Sequence, residues 1–301
     1  MSSYIAGYKV SDEVKQYRLW RGPPIIAGNL NIILVHGAVI PWPGQLHDPN
    51  DINNEKFCFN NLATLLYDEY KDNVFTFEYA DEPVKVLFPL SDLSVSLGNT
   101  NYGSLTAYSE CLMDAIKIVQ QRNPTGRINI VAHSFGGLIA RYAAKHLPGT
   151  VNRIITLDTG HLGFGLANFV DKVLHLVVGS ILPSDIACST DSEIGSSFVT
   201  DLNNNFDPNN PKLMSLAAGD KTPLPPTLPN SPDSMQVVDF NSSSMGQVPD
   251  NNPPARGTNF NNPPFCVLHG YNHATISQIK TPDHQAYQAI KKFFHEDSVT
   301  C

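Results

Sequence analysis

The feature that most constrains the fold is the stretch of residues 128–137, which reads Ile-Asn-Ile-Val-Ala-His-Ser-Phe-Gly-Gly. Its first part has the apolar, β-branched composition of a strand that is buried on both faces. Residues 138–147 are strong helix formers. Ser134 lies between the two, with Ala132 two positions before it and Gly136 two positions after it. Small neighbours allow a strand to turn sharply into a helix, so the pattern predicts that Ser134 stands on a strained corner with its hydroxyl projecting.

This corner resembles the Gly-x-Ser-x-Gly nucleophile elbow of the α/β-hydrolase superfamily, with Ala132 in place of the first glycine, as in some bacterial lipases and esterases. The context strengthens the match, because the serine follows a buried strand and lies about 100 residues after another strand that ends in His36 and Gly37. The resemblance covers roughly residues 30–295. It implies a mostly parallel central sheet, with helices on both faces and a lid or loop insertion.

Strand and helix patterns alternate along the chain, and we therefore interpret residues 1–301 as a single α/β-hydrolase domain. Residues 1–28 could supply antiparallel edge strands or an arm over the core. Residues 160–211 are interpreted as a lid or cap insertion, in which residues 166–178 could form either a lid helix or an ordinary core helix. Residues 221–264 are rich in Pro, Asn and Ser, which is typical of a long loop.

The proposed nucleophile needs an imidazole to take its proton and a carboxylate to orient that imidazole. The superfamily order of serine, acid and histidine implies that His273, in the loop after the last strand, is the base, with His269 as the alternative. Three aspartates are candidates for the acid. Asp233 lies in a segment that resembles the acid segment of many lipases, Asp220 directly follows a predicted strand, and Asp158, ranked lowest, follows the preceding one.

Resemblance to lipases also implies two backbone donors for the oxyanion. The first is the N–H of Ala38, directly after His36 and Gly37, and the second is the N–H of Phe135, directly after the nucleophile. Donors that are already oriented towards the developing charge lower the barrier. His36 is expected to shape this loop rather than to take part in catalysis.

The resulting hypothesis is a lipase or carboxylesterase that forms an acyl-enzyme on Ser134, acts on a small-molecule or lipid ester and serves lipid metabolism. A thioesterase, an amidase, an acyltransferase and a non-catalytic binding protein of the same fold remain alternatives. No metal or organic cofactor is implied, because the sequence has no His-Glu-x-x-His motif and no closely spaced cysteine pair.

Composition limits the partners. The formal net charge of −8 and the absence of long basic blocks argue against nucleic acid and anionic membranes as partners. No apolar run approaches the length of a membrane-spanning helix. Five scattered cysteines favour reduced thiols over a disulfide framework. The first residues lack the pattern of a signal peptide, so we expect a cytoplasmic protein, or a secreted one whose leader has been removed.

Overall fold

The structure is a computed structural model, and it describes residues 3–6, 9–11, 14–21, 30–37, 59–70, 73–80, 84–87, 94–97, 104–164, 187–204, 206–207, 210–223, 234–248, 260–261 and 264–296. The strands in these ranges are β1 (Ser3–Ala6), β2 (Lys9–Ser11), β3 (Val14–Arg21), β4 (Leu30–Val35), β5 (Asn73–Ala80), β6 (Val84–Leu87), β7 (Ser94–Leu97), β8 (Arg127–His133), β9 (Val151–Leu157), β10 (Lys212–Ala218), β11 (Thr222–Pro223), β12 (Ser234–Met235), β13 (Phe260–Asn261) and β14 (Pro264–Leu268). The helices are α1 (Asn60–Tyr70), α2 (Leu105–Arg122), α3 (Phe135–His146), α4 (Ala187–Ser192), α5 (Ser197–Asn204), α6 (Phe240–Ser243) and α7 (Gln285–His295).

Six parallel strands form the centre of the sheet, in the order β5-β4-β8-β9-β10-β14. All six residues of β4 and the five middle residues of β8 are buried. Strands with apolar residues at nearly every position are stable only where both faces are covered, which places them in the middle of the sheet. The prediction of a mostly parallel α/β sheet is confirmed.

Antiparallel strands lie at both edges of this sheet. β3 pairs with β5, and β1 and β2 pair with β3, so the N-terminal residues supply edge strands, one of the two predicted possibilities. At the other edge, β13 pairs with β14.

Helices cover both faces of the sheet. Apolar side chains of α2 and α3 share one core with β8, and those of α1 and α7 share the other core with β10 and β14. Ser104 caps α2, because its hydroxyl accepts a hydrogen bond from the Ala107 N–H at 3.1 Å. The covered sheet places the carboxyl ends of the parallel strands at one edge, where ligands bind in open α/β folds.

The described part of the predicted lid insertion packs against the main domain. Phe198 of α5 is buried and stacks on Tyr142 of α3, with ring centroids 5.2 Å apart. The predicted helix at residues 166–178 lies outside the described residues. Residues 187–204 thus contribute to the core, and the lid remains a prediction.

The serine-rich segment of the predicted long loop is partly structural. Ser242 of α6 accepts a hydrogen bond from the Leu162 N–H at 3.0 Å and donates one to the Gly163 carbonyl at 2.5 Å. Ser215 of β10 donates to the Ser243 carbonyl at 2.8 Å. Composition alone indicated a loop because serine is a poor core residue, but here its short hydroxyl satisfies buried backbone groups.

One cysteine, Cys266, is not the reduced thiol that the sequence predicted. Cys266 forms a disulfide bond, and its partner is not among the side chains that the structure describes, whereas Cys111 is a buried free thiol. Sequence spacing did not reveal the bond because pairing depends on distance in the folded chain. In the part of the chain that the structure describes, no helix combines the length and apolar character needed to cross a bilayer.

Candidate active site

Ser134 occupies a strained corner between β8 and α3. Its backbone has φ 53° and ψ −126°, in the positive-φ region that is costly for a residue with a side chain. Tight packing enforces this conformation: a Cβ on Gly136 would lie 2.6 Å from the Val35 carbonyl oxygen, and one on Gly37 would lie 2.6 Å from the Ser134 Cβ. The predicted elbow geometry is therefore present, and both glycines are needed for it.

His273 is paired with Asp158. Nδ1 of His273 lies 2.7 Å from Oδ2 of Asp158, and the carboxylate is 1% exposed whereas the imidazole is 18% exposed. Because the carboxylate is an acceptor, the His273 proton lies on Nδ1, and this leaves Nε2 of the neutral ring as an acceptor. The pair can therefore hold an imidazole in the tautomer that a general base requires.

The backbone around Asp158 holds this carboxylate in place. Asp158 follows β9 with φ 48°, and its N–H donates to the Leu216 carbonyl at 2.6 Å. Its second oxygen, Oδ1, accepts the Ala218 N–H at 2.9 Å. Both carboxylate oxygens are thus hydrogen-bonded, which is what a buried charge requires.

The ranking of the acid candidates changes accordingly. Asp220 lies on the exposed surface, where Oδ1 accepts the Gly270 N–H at 3.2 Å and its own N–H donates to the Tyr271 carbonyl at 3.0 Å. It braces the loop before His273 instead of contacting the imidazole. Asp233 lies outside the described residues. Asp158, ranked lowest by sequence, is the carboxylate that contacts His273, because β9 lies next to the strand of the nucleophile.

The sequence analysis missed His133, the residue before the nucleophile. Its Nε2 lies 2.9 Å from the His273 carbonyl oxygen, and the two imidazole rings are 4.7 Å apart between centroids. Burial, followed by the nearby His273 and His36, lowers the pKa of His133 to about 3, although its bond to the His273 carbonyl opposes the shift. The ring is therefore neutral at physiological pH. The only signal for this role was a histidine adjacent to the corner serine, and a single histidine is too common to be informative.

His36 shapes the turn that leads to the predicted oxyanion loop. Its Nε2 accepts the Tyr79 N–H at 3.2 Å, so the proton is on Nδ1 and is donated to the Gly37 carbonyl at 2.6 Å. The Tyr79 hydroxyl donates to the His36 carbonyl at 2.9 Å, and the two rings stack. Burial lowers the pKa of His36 to about 4, although its bonds to the Gly37 and Tyr79 backbones oppose the shift. His36 thus fixes the backbone up to Gly37, and its effect on the loop that begins at Ala38 stays a prediction.

The structure describes one of the two predicted oxyanion donors, Phe135. Phe135 is the first residue of α3, so its N–H has no carbonyl four residues earlier within the helix. Its ring is buried edge-on against Phe164, with centroids 4.8 Å apart. Ala38 lies outside the described residues. Both assignments remain proposals.

A buried arginine connects the nucleophile helix to the loop after Asp158. Nη1 of Arg141 donates to the His161 carbonyl at 3.2 Å and lies 3.3 Å from His161 Nδ1. Nη2 of Arg141 donates to Oδ1 of Asn203 at 2.8 Å. Burial lowers the pKa of Arg141 to about 9, and burial followed by the Arg141 charge lowers the pKa of His161 well below its usual value. His161 thus braces the loop after Asp158.

A corner serine between a parallel strand and a helix, within this sheet order, defines the α/β-hydrolase fold. Comparisons with known proteins extend that assignment: residues 62–175 match the family model described as "PGAP1-like alpha/beta domain". The chain is also similar to triacylglycerol lipases of Pseudarthrobacter phenanthrenivorans and Burkholderia plantarii, with 37% identity over 65 residues in each case. These matches span 22% of this chain and 20% and 18% of the two lipases.

Solved structures with little sequence identity share the fold over most of the chain. Phospholipase PlaB from Legionella pneumophila has a TM-score of 0.57 at 14% identity, over 90% of this chain and 60% of that protein. The mature Bacillus licheniformis lipase BlEst2 has a TM-score of 0.51 at 16% identity, over 93% and 98%. Est1E from Butyrivibrio proteoclasticus has a TM-score of 0.52 at 11% identity, over 98% of both chains. The protein is therefore an α/β-hydrolase-fold chain that resembles lipases and esterases.

Proposed function

We propose that the protein is a serine hydrolase of carboxylic esters, with Ser134 as nucleophile, His273 as general base and Asp158 as the acid that orients it. The observation that carries this proposal is the 2.7 Å contact between Asp158 and His273 at the edge of the sheet where Ser134 stands on its corner. A buried carboxylate on Nδ1 of an imidazole, at the same edge of the sheet as a strained serine, supports acyl transfer as the chemistry.

The proposed reaction follows from the tautomer of His273. Nε2 accepts the Ser134 proton as the hydroxyl oxygen attacks the ester carbonyl, and Asp158 stabilises the imidazolium that results. The N–H groups of Phe135 and Ala38 bind the oxyanion. His273 then gives its proton to the leaving alcohol, and water hydrolyses the acyl-enzyme by the same proton transfers.

Among the described residues, the Ser134 hydroxyl forms no hydrogen bond. Nucleophile–base bonds are often long before substrate binds and shorten in the Michaelis complex. We therefore expect a covalent phosphonate on Ser134 to bring Nε2 of His273 within hydrogen-bonding distance of an adduct oxygen.

The test of the nucleophile compares two serine variants. Ser134→Ala should abolish hydrolysis of p-nitrophenyl esters and covalent labelling by a fluorophosphonate, because no other group is proposed to form the acyl-enzyme. Ser197→Ala is the matched control, since Ser197 begins α5 with its side chain exposed, and it should retain both activities. Turnover or labelling that persists in the Ser134→Ala protein would contradict the proposal.

The substrate class is proposed from the similarity to triacylglycerol lipases. A series of p-nitrophenyl esters from acetate to palmitate should show a kcat/KM that increases beyond acetate, because longer chains bury more apolar surface. Matched thioester and anilide substrates distinguish an esterase from a thioesterase or an amidase. A preference confined to acetate would contradict the lipase form of the proposal.

A further inference from the structure

The proposed base stands on a loop, and both polar groups of its backbone are held by side chains. The His273 N–H donates to the Thr222 hydroxyl over 3.3 Å, which is a long bond. The shorter backbone contact is the one from His133 Nε2 to the His273 carbonyl, at 2.9 Å. A carbonyl only accepts hydrogen bonds, so His133 is the donor and its proton lies on Nε2.

His133 is also the residue directly before Ser134, as the last residue of β8. One hydrogen bond therefore joins the backbone of the base to the strand that carries the nucleophile, across 140 positions of sequence. Small displacements of a catalytic group reduce rates strongly, so an anchor at this point controls the distance over which the proton moves.

From this geometry we propose that His133 is a positioning residue, whose Nε2–H holds the His273 backbone in register with Ser134. The inference rests on the proposed function, since it assigns His273 as the base. His133 does not touch the reacting atoms. It acts through His273.

The positioning role requires that the His133 ring is uncharged. The titratable groups around the two rings are His36 after β4, Asp158 after β9, and His133 and His273 themselves. During the reaction His273 becomes an imidazolium, and a second charge on the adjacent ring would oppose it. Burial keeps His133 uncharged, so it can donate one hydrogen bond and leave the positive charge to His273.

Two substitutions separate this role from simple packing. His133→Gln keeps an N–H donor at the distance of Nε2 but removes the ring, whereas His133→Phe keeps the ring and removes the donor. If the hydrogen bond positions the base, His133→Phe should lose about tenfold or more in kcat with little change in KM, and His133→Gln should retain most activity. A packing role predicts the opposite order, and that order would overturn the proposal.

Two further measurements do not depend on the rate. In His133→Phe the acid limb of the kcat/KM profile should move to lower pH, because a displaced His273 loses part of its contact with Asp158. The downfield NMR signal of the His273 Nδ1 proton should broaden in His133→Phe and stay sharp in His133→Gln. An unchanged signal and pH profile in a folded His133→Phe protein would overturn the proposal.

The controls keep the two proposals distinguishable. His146→Phe makes the same substitution at the end of the nucleophile helix, where His146 contacts Tyr142, and it should leave all three readouts unchanged. If Ser134→Ala abolishes turnover while His133→Phe behaves like wild type, only the positioning role fails. If Ser134→Ala remains active, the proposed function fails.

Discussion

Asp158 and Ser134 occupy equivalent positions at the ends of neighbouring parallel strands. His133, the last residue of β8, pairs with Leu157, the last residue of β9, so the next residue of each strand is a member of the proposed triad. The Ser134 N–H donates to the Leu157 carbonyl at 3.0 Å, and the Thr159 hydroxyl donates to the Ser134 carbonyl at 2.9 Å. The proposed nucleophile and the proposed acid are therefore held by the same pair of strands.

Replacement of the acid should separate Asp158 from the other candidates. Asp158→Asn should lower kcat by roughly 10³–10⁴-fold, because the amide no longer enforces the reactive tautomer of His273. Asp220→Asn is the matched control, and its kcat should stay within a few-fold of wild type, since among the described residues Asp220 hydrogen-bonds only to the backbones of Gly270 and Tyr271. Steady-state hydrolysis of a p-nitrophenyl ester measures both. A large loss in Asp220→Asn with an active Asp158→Asn would reverse the assignment.

The elbow glycine should be intolerant of a single added carbon. Gly136→Ala places its Cβ against the carbonyls of Val35 and His36, both backbone atoms that cannot rotate away. We expect a loss of about 1–3 kcal/mol in the free energy of unfolding, measured by urea denaturation. Gly149→Ala is the control: it has open space around the Cβ and only the strain of φ 75°, at a cost of about 1 kcal/mol. Equal losses in both variants would contradict the close-contact argument.

Buried neutral histidines should make the fold sensitive to acid. The native pKa of His36 is lowered to about 4 by burial, whereas an unfolded histidine titrates near 6.5, so the unfolded state binds more protons between these values. The stability that the neutral ring provides is present above about pH 6.5 and is lost as the pH falls towards 4. Urea midpoints measured across this window should decrease with falling pH.

The same measurement isolates the share of His36. His36→Gln should reduce the slope without removing it, because one titrating ring is gone while buried His133 and His161, whose pKa values are also lowered, remain. Tyr79→Phe, which removes only the hydroxyl that binds the His36 carbonyl, should lower stability by about 1 kcal/mol at every pH without changing the slope. A slope unchanged in His36→Gln would show that other groups control the acid response.

The buried Arg141 should matter to stability far more than Lys145, one turn later on the same helix, whose partner Asp201 is half-exposed. Arg141→Lys removes the guanidinium group whose two nitrogens bind the His161 carbonyl and Asn203, and it leaves a buried charge with poorer partners. We therefore expect a loss of about 2–5 kcal/mol in the free energy of unfolding. Lys145→Ala breaks the contact with the half-exposed Asp201 and should cost about 1 kcal/mol or less. Urea denaturation compares the two, and a similar loss in both would contradict the bracing role of Arg141.

Local pattern was sufficient for much of the fold. Three elements, β8, α3 and α2, could be predicted from local sequence. Each has a periodic or continuous apolar pattern, and the residues that start or end the element lie directly next to that pattern. The superfamily order also placed the proposed base, His273, after the last parallel strand, and the structure shows its contact with Asp158. By contrast, residues 234–248 were interpreted as loop, since the hydrogen bonds of Ser242 and Ser243 join segments distant in sequence.

The sequence by itself determined which segments become strands and helices and which serine stands at the strand-to-helix corner, because those properties depend on the spacing of neighbouring side chains. Only the tertiary structure decided which aspartate contacts His273, that His133 anchors the same loop, and that Cys266 is oxidised. Each of these depends on strand order and on distances between residues far apart in the chain. Asp158 and His273 are 115 positions apart in sequence, yet Oδ2 of Asp158 lies 2.7 Å from Nδ1 of His273. Local sequence does not encode such a distance.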